Sequence, residues 1–450
     1  MKKDFIDYIR NEFDFSQDEI NNFENACSMP LKKSIRVNTN KISVENFKKL
    51  VEKWKLTDTC LKNTFYIDRA EDLDIALNTV EHLNGFFYIQ ELAASSSPFY
   101  MSGDKVDKNE YLILDMSASP KTTQLSEYYP NSIIIANEIN KQRLKLFVNL
   151  DRMSSSNVLV TNYDRFFREY LEKFDKVLLD APCSETAYKT DDSLKYWNIK
   201  NIKSIAKLQL SLIDSALKTL KVELVYSTCT LNRIENEVID LVMQRYADCL
   251  EIVPLFTKSE IISEEKKNFV RNWPHINGTF FVAKIKKIKS FDIENPKEIN
   301  SRDMFFKDLE KNNKYIKQKD VVQNYEKLSS KDMKMILKFI EDNFSYSLKE
   351  KKFFRYKDEI FIFDQNIDFL WKDLFFYKTI KIELKKGIFV PNFNLIIEKF
   401  EKNSFSIVID FNKLHKEDVF VDKVDYYQII VGESVAIVII KNKKMKFCFN

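Results

Sequence analysis

The chain has 450 residues, 44% of them hydrophobic and 14% aromatic, enough apolar material for two or three domains with their own cores. Charged residues make up 31% and the formal net charge is only +4, so a local basic face for nucleic acid and a plain solvated lysine surface fit equally well. No apolar run approaches a membrane span, and the start, Met1-Lys2-Lys3-Asp4-Phe5, lacks the apolar stretch of a secretion signal, so a cytoplasmic protein is expected. The six cysteines, at 27, 60, 183, 229, 249 and 448, form no Cys-x-x-Cys pair. That spacing argues against a structural zinc site or a disulfide framework, and reduced thiols available for chemistry are expected. Only 5 residues are glycine, far below the usual share of about 7%.

The first elements read as helices over Asp4 to Phe13 and Ser16 to Ala26, the second with a capping box between Ser16 and Glu19. Ser34 to Asn38 reads as a strand and 43–54 returns to helical periodicity, giving a small α+β module over 1–75. From about residue 76 short apolar strands alternate with helical stretches. Strands are expected at Tyr111–Leu114, Ser132–Asn137, Asn157–Thr161, Lys176–Leu179 and Leu224–Ser227, and helices at Lys141–Leu150 and Ile202–Leu220. This alternation predicts an α/β, Rossmann-like doubly wound parallel sheet over 76–288, whose ligands sit at the carboxyl ends of the strands. Asp115, Glu138, Asp164, Asp180 and Cys229 fall at those ends. Residues 289–345 read as a linker with helices. After it, β-like runs at Glu359–Phe363, Ile380–Leu384, Ser406–Ile409 and Ser434–Ile440 suggest a mostly β domain over 346–450.

Two segments carry the chemistry. Asp180-Ala181-Pro182-Cys183-Ser184 places an acid and a thiol after a buried strand, with a proline fixing the turn. Ser227-Thr228-Cys229-Thr230-Leu231-Asn232 places a second thiol past another strand. A lone cysteine is most often a small buried hydrophobe. Two at strand ends, one beside a carboxylate, fit a different job. Carbon 5 of cytosine is a poor nucleophile until a thiolate adds to carbon 6, an acid steadies ring nitrogen 3, and the adduct is later expelled.

These segments resemble the two cysteine motifs of the RNA (cytosine-5) methyltransferase family. Arg36-Val37-Asn38-Thr39, Asn84 to Glu91 with Ser95-Ser96, Ala136-Asn137-Glu138, Asn232 with Glu235-Asn236-Glu237, Trp273-Pro274-His275 and Phe280 to Ala283 are similar to further motifs of the same family. The likeness covers nearly all of the region 75–288. Lys385 to Pro391 and Met445-Lys446-Phe447 are similar to the PUA-like RNA-binding tail of the bacterial RsmF type, which modifies small-subunit ribosomal RNA.

The resemblance implies a class I fold that uses S-adenosyl-L-methionine, an RNA substrate (ribosomal, with transfer RNA as the other option), no metal and a monomeric chain. It implies Cys229 as nucleophile, Cys183 as helper in product release, and Asp180 as the contact to the cytosine ring near the cofactor. Ser117, Ala118, Ser119, Pro120 and Lys121 would wrap the methionine part, with Lys121 near the reacting centre. Glu138 would bind the ribose and Asp164 the adenine end.

Plainer readings stand beside these. Glu138 and Asp164 could be helix caps or solvated acids. His275 reads as a packing residue, and Cys27, Cys60, Cys249 and Cys448 as inert. The lysine runs at 284–289 and 441–446 read as solvated by default. The family's first cofactor loop runs Asp-x-x-Ala-Ala-Pro-Gly-x-Lys-Thr, whereas Asp115-Met116-Ser117-Ala118-Ser119-Pro120-Lys121-Thr122 lacks the glycine. A strained replacement would cost about 1–3 kcal/mol. Gly-rich turns are also missing after Cys183 and before Leu224. Hence the alternative reading of a relative that has lost its cofactor and serves as an RNA-binding or ribosome-assembly factor. A DNA cytosine methyltransferase fits less well, because those enzymes use the Pro-Cys thiol and have no need of Cys229.

Overall fold

The structure, a computed structural model, describes residues 3–29, 32–67, 79–103, 105–140, 148–155, 157–161, 170–184, 197–255, 269–273, 278–290 and 326–343, and farther on only the backbone of the strands named below. Helices α1 (Lys3–Phe13) and α2 (Gln17–Ser28) come first. The capping box forms: Ser16 Oγ accepts from Glu19 N at 3.3 Å and the Glu19 carboxylate accepts from Ser16 N at 2.8 Å. The apolar faces of this pair, Phe5, Ile9, Ile20 and Phe23, close over Leu231 and Trp273.

Next comes an antiparallel sheet of β1 (Ser34–Val37), β2 (Leu56–Asp58), β3 (Thr64–Ile67) and β4 (Phe87–Ile89), in the order β2-β3-β1-β4. Helix α3 (Val44–Leu50) covers it through Phe47, which packs with Trp54 and Phe87. Because β4 belongs here, the first sheet takes a strand from beyond residue 75. The join to the rest of the chain is tight. Asn38 Nδ2 donates to Met153 O at 2.9 Å and Lys41 Nζ to Arg152 O at 2.7 Å. A Cβ at Gly85, whose φ is +68°, would lie 1.9 Å from Arg152 O, so this position requires glycine. Burial and the Arg152 charge push the Lys41 amine down to about 7.

The large sheet contains β5 (Leu112–Asp115), β6 (Ile133–Asn137), β7 (Val158–Thr161), β8 (Phe174–Asp180), β9 (Leu220–Thr228), β10 (Leu250–Val253), β11 (Phe269–Asn272) and β12 (Phe280–Lys287). Its order is β10-β12-β9-β8-β5-β6-β7, with the two-residue strand Phe376–Tyr377 at the far edge and β11 paired to β12. Strands β5 to β9 are mutually parallel and lie at the predicted segments; β10, β11 and β12 add an antiparallel flank. One face packs Phe99 of helix α4 (Ser96–Ser102) and Leu125 of α5 (Lys121–Tyr128). The other packs α7 (Ile199–Thr219) and α9 (Val238–Arg245), on either side of the one-turn α8 (Arg233–Asn236). The short α6 (Val148–Arg152), which precedes β7 in the chain, adds Leu150 to the first face. Each strand of the parallel set is buried on both faces, which explains its unbroken runs of Ile, Leu and Val.

The missing Gly-rich turn before Leu224 is absorbed without a loop. Helix α7 ends at Thr219 and β9 starts at Leu220, while Lys287 Nζ caps the junction by donating to Leu220 O at 2.9 Å. Beyond the core lie α10 (Ser330–Asn343) and two further sheets. One orders β13 (Glu326–Lys327), β14 (Lys352–Tyr356), β15 (Glu359–Phe363), β17 (Lys381–Lys385) and β18 (Ile388–Pro391), where β16 is the edge strand Phe376–Tyr377. The other orders β19 (Ser406–Val408), β20 (Asp425–Val431), β21 (Ser434–Lys441) and β22 (Lys444–Phe447). These strands fall close to the β-like runs read from the sequence.

Candidate active site

The carboxyl ends of β5, β6, β8 and β9 meet at one edge of the sheet. The parallel register sets Asp180, the last residue of β8, opposite Ser227 of β9. Ser227 Oγ donates to Asp180 Oδ1 at 2.9 Å, and Lys121 Nζ pairs with Asp180 Oδ2 at 2.5 Å. Both carboxylate oxygens are thus held, and the acid cannot swing away from the strand end. The Lys121 ammonium also lies 5.1 Å from the centroid of the Phe280 ring. Asp180, Cys183 and Cys229 are each half-buried, so they remain accessible from the crevice, whereas Lys121 is buried.

The two thiol segments meet directly. The Cys229 amide donates to Cys183 Sγ at 3.2 Å, and the two sulfurs are joined as a disulfide with Cα atoms 6.2 Å apart. The bond corrects the expectation of reduced thiols at 183 and 229. The reason is topological: from the paired residues Asp180 and Ser227 the chain runs on by three and two residues to Cys183 and Cys229, which brings the Cα atoms into bridging range. Cys27, Cys60 and Cys249 take no part in a disulfide.

The loop after β5 is built from side-chain hydrogen bonds where its family pattern has glycine. Ala118 N donates to Asn137 O at 2.7 Å and Met116 N to Leu178 O at 2.9 Å, fixing the loop between β6 and β8. Ser119 Oγ accepts from Lys121 N, and Thr122 Oγ1 accepts from Ser119 N, both at 3.3 Å. The Thr122 hydroxyl donates to Asp115 Oδ2 at 2.6 Å. No residue from Asp115 to Thr122 adopts positive φ, so the predicted strain at the lost glycine does not arise. Gly278, with φ 103°, keeps glycine at a left-handed position, whereas Asp14, Lys55, Asn63, Ser154 and Glu172 adopt positive φ without it. Asp115 itself is wholly buried, and burial pushes its carboxyl up to about 7 against the opposing Thr122 hydrogen bond.

Glu138 follows β6 and is 4% exposed, with Oε1 accepting from Asn140 N at 2.8 Å. It therefore sits at the adjoining strand end, beside the loop Ser117–Pro120, through the Ala118–Asn137 bond. Asp164, His275 and Cys448 lie outside the described residues.

Sequence reasoning gave no role to several residues that the geometry makes central. Arg36 is buried and pairs with Glu127, donates to Thr123 Oγ1 at 2.7 Å and to Gln90 Oε1 at 3.1 Å. It thereby anchors α5, the helix that carries Lys121, to the first sheet. Ser227 is the first residue of the second cysteine motif, and aligning the ends of β8 and β9 points to its bond with Asp180. Glu235 and Gln209 bind the cysteine segments, and only the folded contacts reveal this. Among the described residues, no group of three or more His, Cys, Asp or Glu is placed to hold a metal ion, and no helix is long and apolar enough to cross a membrane.

Comparison with known proteins identifies the family. Residues 105–286 match the family model for 16S rRNA methyltransferase RsmB/F, and residues 1–92 match the N-terminal domain of 16S rRNA methyltransferase RsmF. A ribosomal RNA small subunit methyltransferase F from Shewanella piezotolerans is 36% identical over 365 residues, which take in 76% of this chain and 72% of the relative. The chain belongs to the RsmF family. Its counterpart in Vibrio cholerae is 40% identical over 304 residues, 63% of each chain, so the relatives carry sequence beyond the shared part. The crystal structure of NSun6 from Pyrococcus horikoshii with SFG superposes with a TM-score of 0.54 at 23% identity, covering 64% of this chain and 99% of that one, a likeness of fold.

Proposed function

We propose that this RsmF-family chain methylates carbon 5 of a cytosine in small-subunit ribosomal RNA, using S-adenosylmethionine, through a covalent bond from Cys229 to carbon 6 of the ring. The observation that carries this reading is the convergence of two sulfurs and a doubly held carboxylate at one sheet edge. That set suits addition to a pyrimidine and subsequent elimination.

The residues divide the work as follows. A thiol reductant such as glutathione, itself oxidised to its disulfide, cleaves the Cys183–Cys229 bond by exchange and frees both thiols. The Cys229 thiolate adds to carbon 6, which leaves carbon 5 electron-rich. Asp180, fixed by Ser227 and Lys121, contacts the cytosine ring at nitrogen 3 and favours the adduct. S-adenosylmethionine, when bound, supplies an electrophilic methyl group. Cys183 then assists removal of the carbon 5 proton, the carbon 6–sulfur bond breaks, and the electron pair returns to Cys229. The donor set at the strand ends suits such a cofactor: a carboxylate at Glu138 for ribose hydroxyls, and the loop Ser117-Ala118-Ser119-Pro120 ahead of Lys121 for the methionine part. Asp164 is proposed for the adenine end on the resemblance alone. The base must leave its stack to expose carbon 6, so flipped or looped RNA is the expected substrate. We assign the strands beyond residue 345 to a PUA-like RNA-binding domain on the same basis.

The test is methyl transfer from labelled S-adenosylmethionine to small-subunit ribosomal RNA by the full, reduced chain, with bisulfite sequencing to locate the product. Label at a discrete cytosine, lost in Cys229→Ala, is the expected result. A chain that binds the RNA but neither binds nor consumes S-adenosylmethionine would instead be an assembly factor.

A further inference from the structure

The one-turn helix α8 lies four residues past Cys229, and none of the chemistry above uses it. Its side chains nonetheless tie down both cysteine segments. Glu235 is fully buried and accepts three hydrogen bonds. Ser184 N donates to Oε2 at 3.1 Å, Gln209 Nε2 to Oε2 at 2.8 Å, and Asn232 Nδ2 to Oε1 at 2.6 Å. Gln209, from the long helix α7, also donates to Pro182 O at 2.9 Å. Pro182 and Ser184 are the two neighbours of Cys183.

The neighbours of Cys229 are held in the same way. Asn236 Oδ1 accepts from Thr228 Oγ1 at 2.6 Å, and Asn236 Nδ2 donates to Thr230 O at 2.9 Å. The turn itself is pinned from three sides. Asn232 Oδ1 accepts from Glu235 N at 2.8 Å, Tyr226 OH donates to Glu235 O at 3.1 Å, and Glu12 of the N-terminal helix accepts from Arg233 N at 3.0 Å. A carboxylate taken out of water would ordinarily be protonated, and burial does push the Glu235 carboxyl up. Three donors aimed at its oxygens favour the charged acceptor.

We infer that Glu235, with Gln209 and Asn236, acts as a clamp of positioning residues that sets the separation of the Cys183 and Cys229 sulfurs, and so the geometry of adduct formation and release. No member of the clamp needs to touch RNA or cofactor. The inference rests on the two-thiol reading above. Its physical warrant is that a misplacement of about 1 Å at reacting atoms lowers a rate by about 100-fold. A carboxamide at 235 keeps one acceptor but turns an N–H toward at least one of the three donors, which loosens the clamp without changing its size.

The experiment compares the full chain with its E235Q and Q209M variants under three readouts. The first is methyl transfer to small-subunit ribosomal RNA, with kcat and KM separated. The second is S-adenosylmethionine affinity by calorimetry. The third is the glutathione ratio at which residues 183 and 229 become half oxidised, which needs no methyl transfer. The expected result is a kcat lower by about 30–100-fold, KM and cofactor affinity within about twofold, and a 183–229 pair at least tenfold harder to oxidise, because the thiols no longer hold each other's position. Should E235Q fail to fold, Q209M, which keeps the carboxylate and removes the bonds that Gln209 donates to Glu235 and to Pro182 O, carries the same expectation. Folded variants with wild-type kcat and an unchanged glutathione midpoint would overturn the clamp, as would an effect confined to melting temperature. If the unaltered chain transfers no methyl group, the two-thiol mechanism fails, while the glutathione readout still decides whether the clamp exists.

Discussion

The two halves of the candidate site are built by opposite means. Around Cys183 and Cys229 the sequence keeps its family motifs, and contacts distant along the chain hold the segments: Glu235 reaches back 51 residues to Ser184, and Ser227 reaches 47 to Asp180. Around Ser117 to Lys121 the motif has lost its glycine, and side-chain bonds between residues at most seven apart, Ser119 with Lys121 and Thr122 with Ser119 and Asp115, shape a loop whose backbone is tied to Asn137 and Leu178. The contrast shows what each part must supply. The thiol segments supply particular atoms, which cannot be exchanged. The cofactor loop supplies a backbone shape, and short hydroxyl side chains can stabilise a shape that glycine would otherwise permit.

Substitutions can break this contrast. The largest effect is expected on the thiol side: Cys229→Ala should abolish methyl transfer, while melting temperature and S-adenosylmethionine binding stay close to wild type, as measured by transfer assay, calorimetry and thermal unfolding. Lys121→Met, at the joint between the two regions, frees one oxygen of Asp180, and kcat should drop by about 100-fold. Retention of wild-type kcat would mean that Asp180 needs no partner. On the loop side the effects are smaller. Thr122→Val removes one hydroxyl that both donates and accepts, worth about 1–3 kcal/mol, so calorimetry should find cofactor affinity weaker by about tenfold or more with the RNA KM unmoved.

The last effect concerns Asp115 and is read as a pH dependence of stability. Burial raises its folded value to about 7 from 3.8. Between those values the unfolded chain gives up the proton while the folded chain keeps it, so this group erodes stability as pH rises through that window and adds no further loss above about 7. Asp115→Asn cannot ionise. Its melting temperature relative to wild type should therefore climb from pH 4 to pH 7 and then level off, and a difference flat across that range would contradict the buried acid.

The parallel sheet was legible because strands buried on both faces leave uninterrupted apolar runs, and Asp115 and Asp180 mark where two of those runs end. The antiparallel flank was not read as such. Phe280 to Ala283 drew notice as a motif, but β10 and β11 are short and differ little from loop in their pattern. Strand β4 pairs across 50 residues of chain with β1, a choice that local sequence does not encode. At the site, residue types that do chemistry stood out, whereas those that hold them did not. Arg36 and Glu127 are 91 residues apart, and only tertiary folding shows that they pair. That 183 and 229 come together follows from their places at two strand ends, whereas the bond between them depends on the strand register, which cysteine spacing does not encode.

The account turns on which sulfur bonds to the base. Reduced Cys183→Ala chain, incubated with small-subunit ribosomal RNA and S-adenosylmethionine and then digested, should yield a peptide containing Cys229 cross-linked to a methylated cytosine. A variant that turns over freely without such an adduct, or one cross-linked through any other residue, would contradict it.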